Sequence, residues 1–196
     1  MDPIAEFHTL SDDLFVWSGY DPACKVDCSG TALLTAEGLV LIDTPMLSPA
    51  AIEELIDGRK PVGILLTSGN HQRVSLEWKK RLDIPIWAPR LAQDEVIADE
   101  WFDDGSRLFG EISAIALPGS GPGEVFFLKD RTAVIGDALI HLDGLMLLPD
   151  KYCTAPRELP HSLPRLIEAA PERICFAHGL PIVNQATARV RALLSE

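Results

Sequence analysis

The chain has 196 residues, of which 47% are hydrophobic and 23% charged, so it can bury one sizeable core and does not have the composition of a disordered or fibrous protein. Its formal net charge of -12 and its pI near 4.8 argue against nucleic acid and anionic membranes as partners, because both would repel its average surface. No basic segment precedes an apolar run at the N-terminus, and no stretch approaches the ~20 apolar residues of a membrane span. We therefore expect a single cytoplasmic domain over residues 1–196.

The first third of the sequence predicts an antiparallel meander followed by a helix. Apolar runs separated by turn residues indicate strands at 7–10, 14–18, 31–35 and 39–43. Ser48 and Pro49 then provide an N-cap and a first-turn proline for a helix, which Gly58 ends.

The rest of the sequence alternates between strands and helices. Strands are predicted at 63–67, 84–88, 108–117, 124–128, 132–135 and 173–177. Helices are predicted along the face formed by Val74, Trp78 and Leu82, and at 91–101, 163–170 and 187–194.

Several of the apolar strands run directly into polar residues. Asp43, the segment 68–73, Asp137 and His178 each follow such a strand, and Ser120 lies in a glycine-rich turn between two others. Layered α/β proteins build their sites at the rim of a sheet, where the strands end. The sequence therefore predicts one rim at which these side chains meet.

Four landmarks make the pattern more specific. They are residues 66–73, the turn 117–123, the strand end 135–139 and the segment 177–179. In this order and spacing they resemble the metallo-β-lactamase superfamily across nearly the whole chain. The resemblance implies an α+β fold, namely a four-layer αββα sandwich. Residues 67–73 also resemble a divergent branch with a T-N-x-D-H-x-R motif, which implies a stable altered site.

In the superfamily, motifs of the type T-H-x-H-x-D-H, P-G-H-T-P-G, G-D and G-H-G supply seven ligands to two metal ions. The corresponding positions here are Ser68, Asn70, Gln72, Arg73, Ser120, Asp137 and His178. Asp137 and His178 alone keep the ligand type, and hydroxyls or neutral amides are poor substitutes for imidazole and carboxylate. We therefore expect a dismantled two-zinc site with no resident cofactor.

Arg73 stands where a ligand of the second metal is expected and brings a fixed positive charge. We expect it to form a charge-assisted pair with Asp137 in the space that a metal otherwise fills.

The first functional hypothesis is a rim pocket that binds a small anionic molecule. Arg73, Ser120, Asn70, Ser68 and Lys151 are the candidate binding residues. Asp137, His178 and His71 are the candidate catalytic residues for weak hydrolysis of that molecule.

Two alternatives remain open. His71, Asp137 and His178 would together suit a single divalent ion such as zinc, iron or manganese, which makes a one-metal hydrolase the first alternative. In the opposing interpretation, His71 is a loop or helix-start histidine that is hydrogen-bonded to backbone. The second alternative is a non-catalytic pseudoenzyme that acts through protein interaction.

The cysteines give a weaker signal. Cys24 and Cys28 have a spacing that is compatible with a metal knuckle, but no second pair accompanies them. Reduced thiols are expected for all four cysteines, since nothing indicates export.

Overall fold

The computed structural model describes residues 2–195. Within them the strands are β1 (His8–Ser11), β2 (Leu14–Asp21), β3 (Val26–Leu34), β4 (Leu39–Ile42), β5 (Pro61–Leu65), β6 (Ile86–Pro89), β7 (Glu100–Phe102), β8 (Arg107–Leu108), β9 (Ile112–Ala116), β10 (Val125–Lys129), β11 (Thr132–Ile135), β12 (Leu139–His141), β13 (Leu145–Leu147) and β14 (Arg173–Phe176). The helices are α1 (Pro49–Ile56), α2 (Ser75–Leu82), α3 (Leu159–Ser162), α4 (Pro164–Ala169) and α5 (Ala186–Leu193), with 3-10 turns at Gly69–His71, Arg90–Ala92 and Asp150–Tyr152.

The strands form two large sheets. One has the order β1-β2-β3-β4-β5-β6-β7, and the other has the order β14-β11-β10-β9-β8. The first four strands of the larger sheet are antiparallel, whereas β4 to β7 pair in parallel. α1 and α2 provide two of the parallel connections, which need long crossovers. In the smaller sheet β11 and β14 are parallel neighbours.

Four layers follow from where the apolar side chains pack. Leu14, Val40 and Leu65 of the larger sheet face Phe127 and Val134 of the smaller sheet. The outer face of the larger sheet packs on α1 and α2, and the outer face of the smaller sheet packs on α3, α4 and α5. The expected αββα sandwich is confirmed.

The predicted helix at 91–101 is wrong. This segment has only the 3-10 turn Arg90–Ala92 and then leads into β7, which pairs in parallel with β6. Ala92 and Val96 are buried, but Leu91 is 83% and Ile97 65% exposed, so the apolar residues of the segment do not share one buried face. The Gln72 side chain also bonds both the N–H and the carbonyl of Ile97, which holds the backbone open.

The strand predicted at 108–117 is instead a hairpin. β8 and β9 pair antiparallel across a tight turn in which Phe109 and Gly110 both adopt positive φ angles. The small two-stranded sheet of β12 and β13 was not predicted from the sequence. Among the helices described between residues 2 and 195, none has the length and apolar character needed to cross a membrane.

Candidate metal centre

The rim of the two sheets gathers the predicted polar residues. Asp43 follows β4, and Thr67 and His71 follow β5, its parallel neighbour. Asp137 follows β11 and His178 follows β14, and these two strands are also parallel neighbours. Since parallel strands end at the same edge of a sheet, each sheet delivers its polar residues to one place. The two edges meet at a buried cluster.

His71 and His178 both approach one carboxylate oxygen. Nε2 of His71 lies 3.2 Å from Oδ1 of Asp137, and Nε2 of His178 lies 3.4 Å from the same atom. The candidate donor atoms of these three residues all lie within 4.8 Å of one another. His71 is 2% exposed, and its two ring nitrogens face the carboxylates of Asp43 and Asp137. The interpretation in which the His71 side chain is hydrogen-bonded to backbone is therefore wrong.

The opposite ring nitrogens are held by other groups. Nδ1 of His71 lies 2.7 Å from Oγ1 of Thr67 and 3.1 Å from Oδ2 of Asp43. Asp43 is fixed in turn, because its carboxylate accepts hydrogen bonds from the backbone N–H and the hydroxyl of Thr67. Nδ1 of His178 donates to the Asp27 carbonyl at 2.9 Å. Each imidazole therefore has a fixed orientation with Nε2 directed at Asp137.

The charges in the cluster balance. Burial alone would lower the pKa of His71, but the carboxylates of Asp137 and Asp43 outweigh burial and raise that pKa to about 10. Burial also opposes protonation of His178, yet hydrogen bonding to Asp137 raises its pKa to about 9. Both carboxylates resist protonation despite burial, because His71 holds the pKa of Asp137 and of Asp43 below the usual range. In the absence of a bound ion, the carboxylates therefore favour the protonated form of both histidines.

Asn70 and Ser68 support this arrangement. Nδ2 of Asn70 donates to Oδ2 of Asp137 at 3.1 Å, which leaves Oδ1 of that carboxylate to the two histidines. Oγ of Ser68 accepts from the backbone N–H of Asn70 at the start of the 3-10 turn. The substrate-binding role that the sequence suggested for these two residues stays a prediction.

Arg73 does not pair with Asp137, so that expectation is wrong. Its guanidinium donates to three backbone carbonyls, at 2.6 Å to Ser29, 2.5 Å to Asp43 and 3.0 Å to Ala177. These acceptors come from both sheets. The side chain therefore links the two sheets at the rim.

Ser120 and Lys151 lie apart from the cluster contacts. Ser120 is fully buried, and its Oγ has no hydrogen-bond partner among the described residues. Its carbonyl accepts from the N–H of Thr154. Lys151 is exposed, and its ammonium lies over the ring of Tyr152, 4.6 Å from the centroid. Their proposed binding roles stay predictions.

Glu124 is a buried acidic residue that the sequence interpretation treated only as the start of a strand. It is 2% exposed, and Oε1 accepts from the N–H of Ala138 at 3.2 Å. Burial, together with the charge of Asp137, raises the pKa of Glu124 to about 8. A Cβ atom at Gly136 would clash with Glu124 and Thr67, so a glycine is needed beside them. An acidic residue that opens an otherwise apolar strand was the available signal.

Comparisons with known proteins agree with the observed fold. A sequence profile described as the metallo-beta-lactamase superfamily matches residues 8–195. No curated protein matched the chain.

The solved DIM-1 metallo-beta-lactamase is similar over 98% of both chains, with 16% identity and a TM-score of 0.79. A metallo-beta-lactamase from Pontibacter korlensis aligns with 97% of this chain and 99% of its own, with 16% identity and a TM-score of 0.77. The protein TTHA1623, solved in a di-iron-bound form, has 25% identity and a TM-score of 0.69 over 85% of this chain and 93% of its own.

Proposed function

Because the chain belongs to the metallo-β-lactamase superfamily, we propose that it is a hydrolase that works with a single divalent metal ion held by His71, Asp137 and His178. The observation that carries the proposal is the pair of Nε2 atoms directed at one oxygen of Asp137, with each Nδ1 tied elsewhere. Histidines that bind metals in proteins are oriented in this way by a carboxylate or carbonyl on the second nitrogen.

The residues present fit such an ion. Two imidazoles and one carboxylate suit zinc, iron or manganese and leave open positions. Nε2 of His71 is buried, lies 3.2 Å from Oδ1 of Asp137 and forms no hydrogen bond with the described residues. An ion would satisfy it once each histidine releases its Nε2 proton to solvent. When bound, the ion would act as a Lewis acid and would acidify water at its open positions.

The surrounding residues would then have distinct tasks. Asp43 and Thr67 hold His71, and Asn70 holds the second oxygen of Asp137. Before an ion binds, burial and the charge of Asp137 raise the pKa of Glu124 to about 8, so this carboxyl adds no negative charge at neutral pH to a cluster that already has two carboxylates.

A second ion is not part of the proposal. Gln72, at one of the lost ligand positions, uses both ends of its amide on the backbone of Ile97. Arg73, at another, is engaged with backbone carbonyls and would repel a cation.

We retain a small anionic molecule as the substrate class, but with a different binding group. Because the Arg73 guanidinium is already engaged, the ion itself would attract the anion. A cytosolic location is consistent with this proposal and remains a prediction.

Metal titration of chelator-treated protein tests the proposal. Zinc, ferrous iron and manganese would be added separately, and bound metal measured by elemental analysis after dialysis. We expect His71→Ala and His178→Ala each to bind one ion fewer than the wild-type chain. His161→Ala is the matched control, since His161 is exposed on α3, and it should bind as many ions as the wild type.

The hydrolase part is tested separately with the loaded protein. Nitrophenyl esters and phosphodiesters are suitable anionic or activated probes, and turnover should disappear with the ion in His178→Ala. Wild-type protein that binds no ion, or as many ions as His71→Ala and His178→Ala, would refute the metal centre. A loaded protein with no turnover of any probe would argue against hydrolysis and leave the metal centre intact.

A further inference from the structure

A second group of metal-ligating side chains lies in the hairpin of β2 and β3. Asp21 ends β2, Cys24 lies in the connecting loop, and Cys28 is the third residue of β3. A carboxylate oxygen and the two sulfur atoms all lie within 4.8 Å of one another. None of these residues takes part in the centre proposed above.

The strand register explains why they converge. Asp21 pairs with Val26, and Gly19 pairs with Cys28, so Asp21 and Cys28 are diagonal neighbours on one face of the hairpin. The loop then turns back over the strand ends. Lys25 adopts a left-handed conformation with φ of 58°, and its N–H donates to the Asp21 carbonyl at 2.7 Å. This reversal brings Cys24 towards the other two.

We propose that Asp21, Cys24 and Cys28 form a separate site for a thiophilic divalent ion such as zinc. Thiolates select such metals, and a carboxylate is an accepted third ligand. Tetrahedral zinc with bonds of ~2.3 Å separates two sulfurs by ~3.8 Å, so only a small contraction of the loop is needed. Each thiol releases its proton to solvent on binding.

The burial of the ligands suits entry and retention. Cys28 is 2% exposed, whereas Cys24 is exposed and gives solvent a route to the site. All four cysteines are free, so both thiols are available. The site also borders the first centre, because the carbonyl of Asp27, the residue before Cys28, accepts from His178. An ion in the hairpin would therefore stiffen the segment that orients His178.

Titration of the reduced protein with cobalt(II) alone tests this site. The centre at His71, Asp137 and His178 contains no thiol, so a thiolate-to-cobalt charge-transfer band reports on the cysteines independently of the proposed function. We expect the band in the wild-type protein and in His71→Ala. It should disappear in Cys24→Ser, and Asp21→Asn should raise the cobalt dissociation constant by roughly tenfold or more.

The control is Cys153→Ser, which removes a half-buried thiol that bonds the Leu148 carbonyl and should leave the band unchanged. Asp21 is the residue before the loop, and Cys24 lies within it. Asp21→Asn and Cys24→Ser should therefore keep the circular dichroism spectrum of the wild type. The absence of a band from wild-type protein with reduced thiols would overturn the proposal. A band that survives in Cys24→Ser but vanishes in His178→Ala would also overturn it, since cobalt would then be bound by Cys28 together with the first centre.

Discussion

Arg73 illustrates how one side chain can connect distant segments. Its guanidinium bonds carbonyls of Ser29, Asp43 and Ala177, which lie in or beside different strands. Arg73→Ala should lower the free energy of unfolding by at least about 2 kcal/mol, since hydrogen bonds to charged groups contribute roughly 1.5–3 kcal/mol each. Urea unfolding at pH 7 measures this. The exposed Arg81→Ala is the control and should change it by less than about 0.5 kcal/mol. Equal stability of the two variants would contradict a linking role.

Asp43 acts on the proposed ion only through His71. Its carboxylate lies 3.1 Å from Nδ1 of His71. Asp43→Asn keeps the shape but weakens the hold on the ring, so metal affinity should fall by roughly 10–100-fold, as for other residues that orient a ligand. Competition against a chromogenic chelator gives the dissociation constant. Glu53→Gln, on the exposed face of α1, should leave it unchanged. An unaltered affinity in Asp43→Asn would show that the His71 orientation does not depend on Asp43.

Glu124 should make the stability of the metal-free protein depend on pH. Its pKa is raised from 4.5 to about 8, so the folded state keeps a proton that the unfolded chain releases. The contribution of this carboxyl to the free energy of unfolding is therefore fully present below about pH 4.5 and falls as the pH rises towards 8. Glu124→Gln mimics the protonated form. Within that window, its free energy of unfolding should rise relative to the wild type by up to roughly 1.4 kcal/mol per pH unit. Urea unfolding at pH 5, 7 and 9 measures the difference, and a constant difference would contradict the raised pKa.

At the scale of elements, an ion pair joins the two sheets at the end far from the rim. Lys129 ends β10, and its ammonium lies 2.8 Å from Oδ2 of Asp13 in the turn between β1 and β2. Burial works against the charged forms, but hydrogen bonding between them lowers the pKa of Asp13 and raises that of Lys129. The pair therefore stabilises the fold above about pH 4, where unfolded aspartate is ionised, and this contribution disappears as the pH falls through the folded pKa of Asp13.

Lys129→Met keeps the apolar stem and removes the charge. Because Asp13 is half-exposed, the loss at pH 7 should be about 1 kcal/mol or less, and it should be smaller at pH 2, where more of the Asp13 carboxyl is protonated. Chemical unfolding at both pH values tests this, with the exposed Lys80→Met as control. A loss that is the same at both pH values would show that packing, not charge, is responsible.

The elements also show how far sequence reasoning reached. The strands that lead into Asp43, Asp137 and His178 could be predicted, and so could the sheet rim at which they end. The apolar runs that mark buried strands can be read from local sequence. The helix at 91–101 could not be rejected, because the partner that holds its backbone open is Gln72, a distant residue. The orientation of the His71 side chain depends on a 3-10 turn. The partners of Arg73 are backbone carbonyls, which every residue has and which therefore leave no signal in the sequence.

For the molecule as a whole, the layered cores imply that a metal ion is not required for folding. Apolar residues fill the space between the two sheets and both outer layers of helices. Small metal-dependent domains lack such cores and unfold without the ion. The proposed centre lies at the rim, outside these layers, so binding should add stability to a fold that already exists.

Thermal unfolding tests this division between fold and centre. An ion that binds only the native state raises the free energy of unfolding by about 2.7 kcal/mol at a hundred times its dissociation constant. For a chain of this length each kcal/mol corresponds to roughly 2–4 °C, so zinc should raise the Tm by about 5–10 °C over the chelated protein. Asp137→Asn should remove the part of this shift that the centre contributes, because it weakens the carboxylate that both histidines face, while the variant itself remains folded. A shift of equal size in Asp137→Asn would locate the stabilising ion elsewhere. Cooperative unfolding that disappears on chelation would show that the ion, and not the apolar layers, holds the two sheets together.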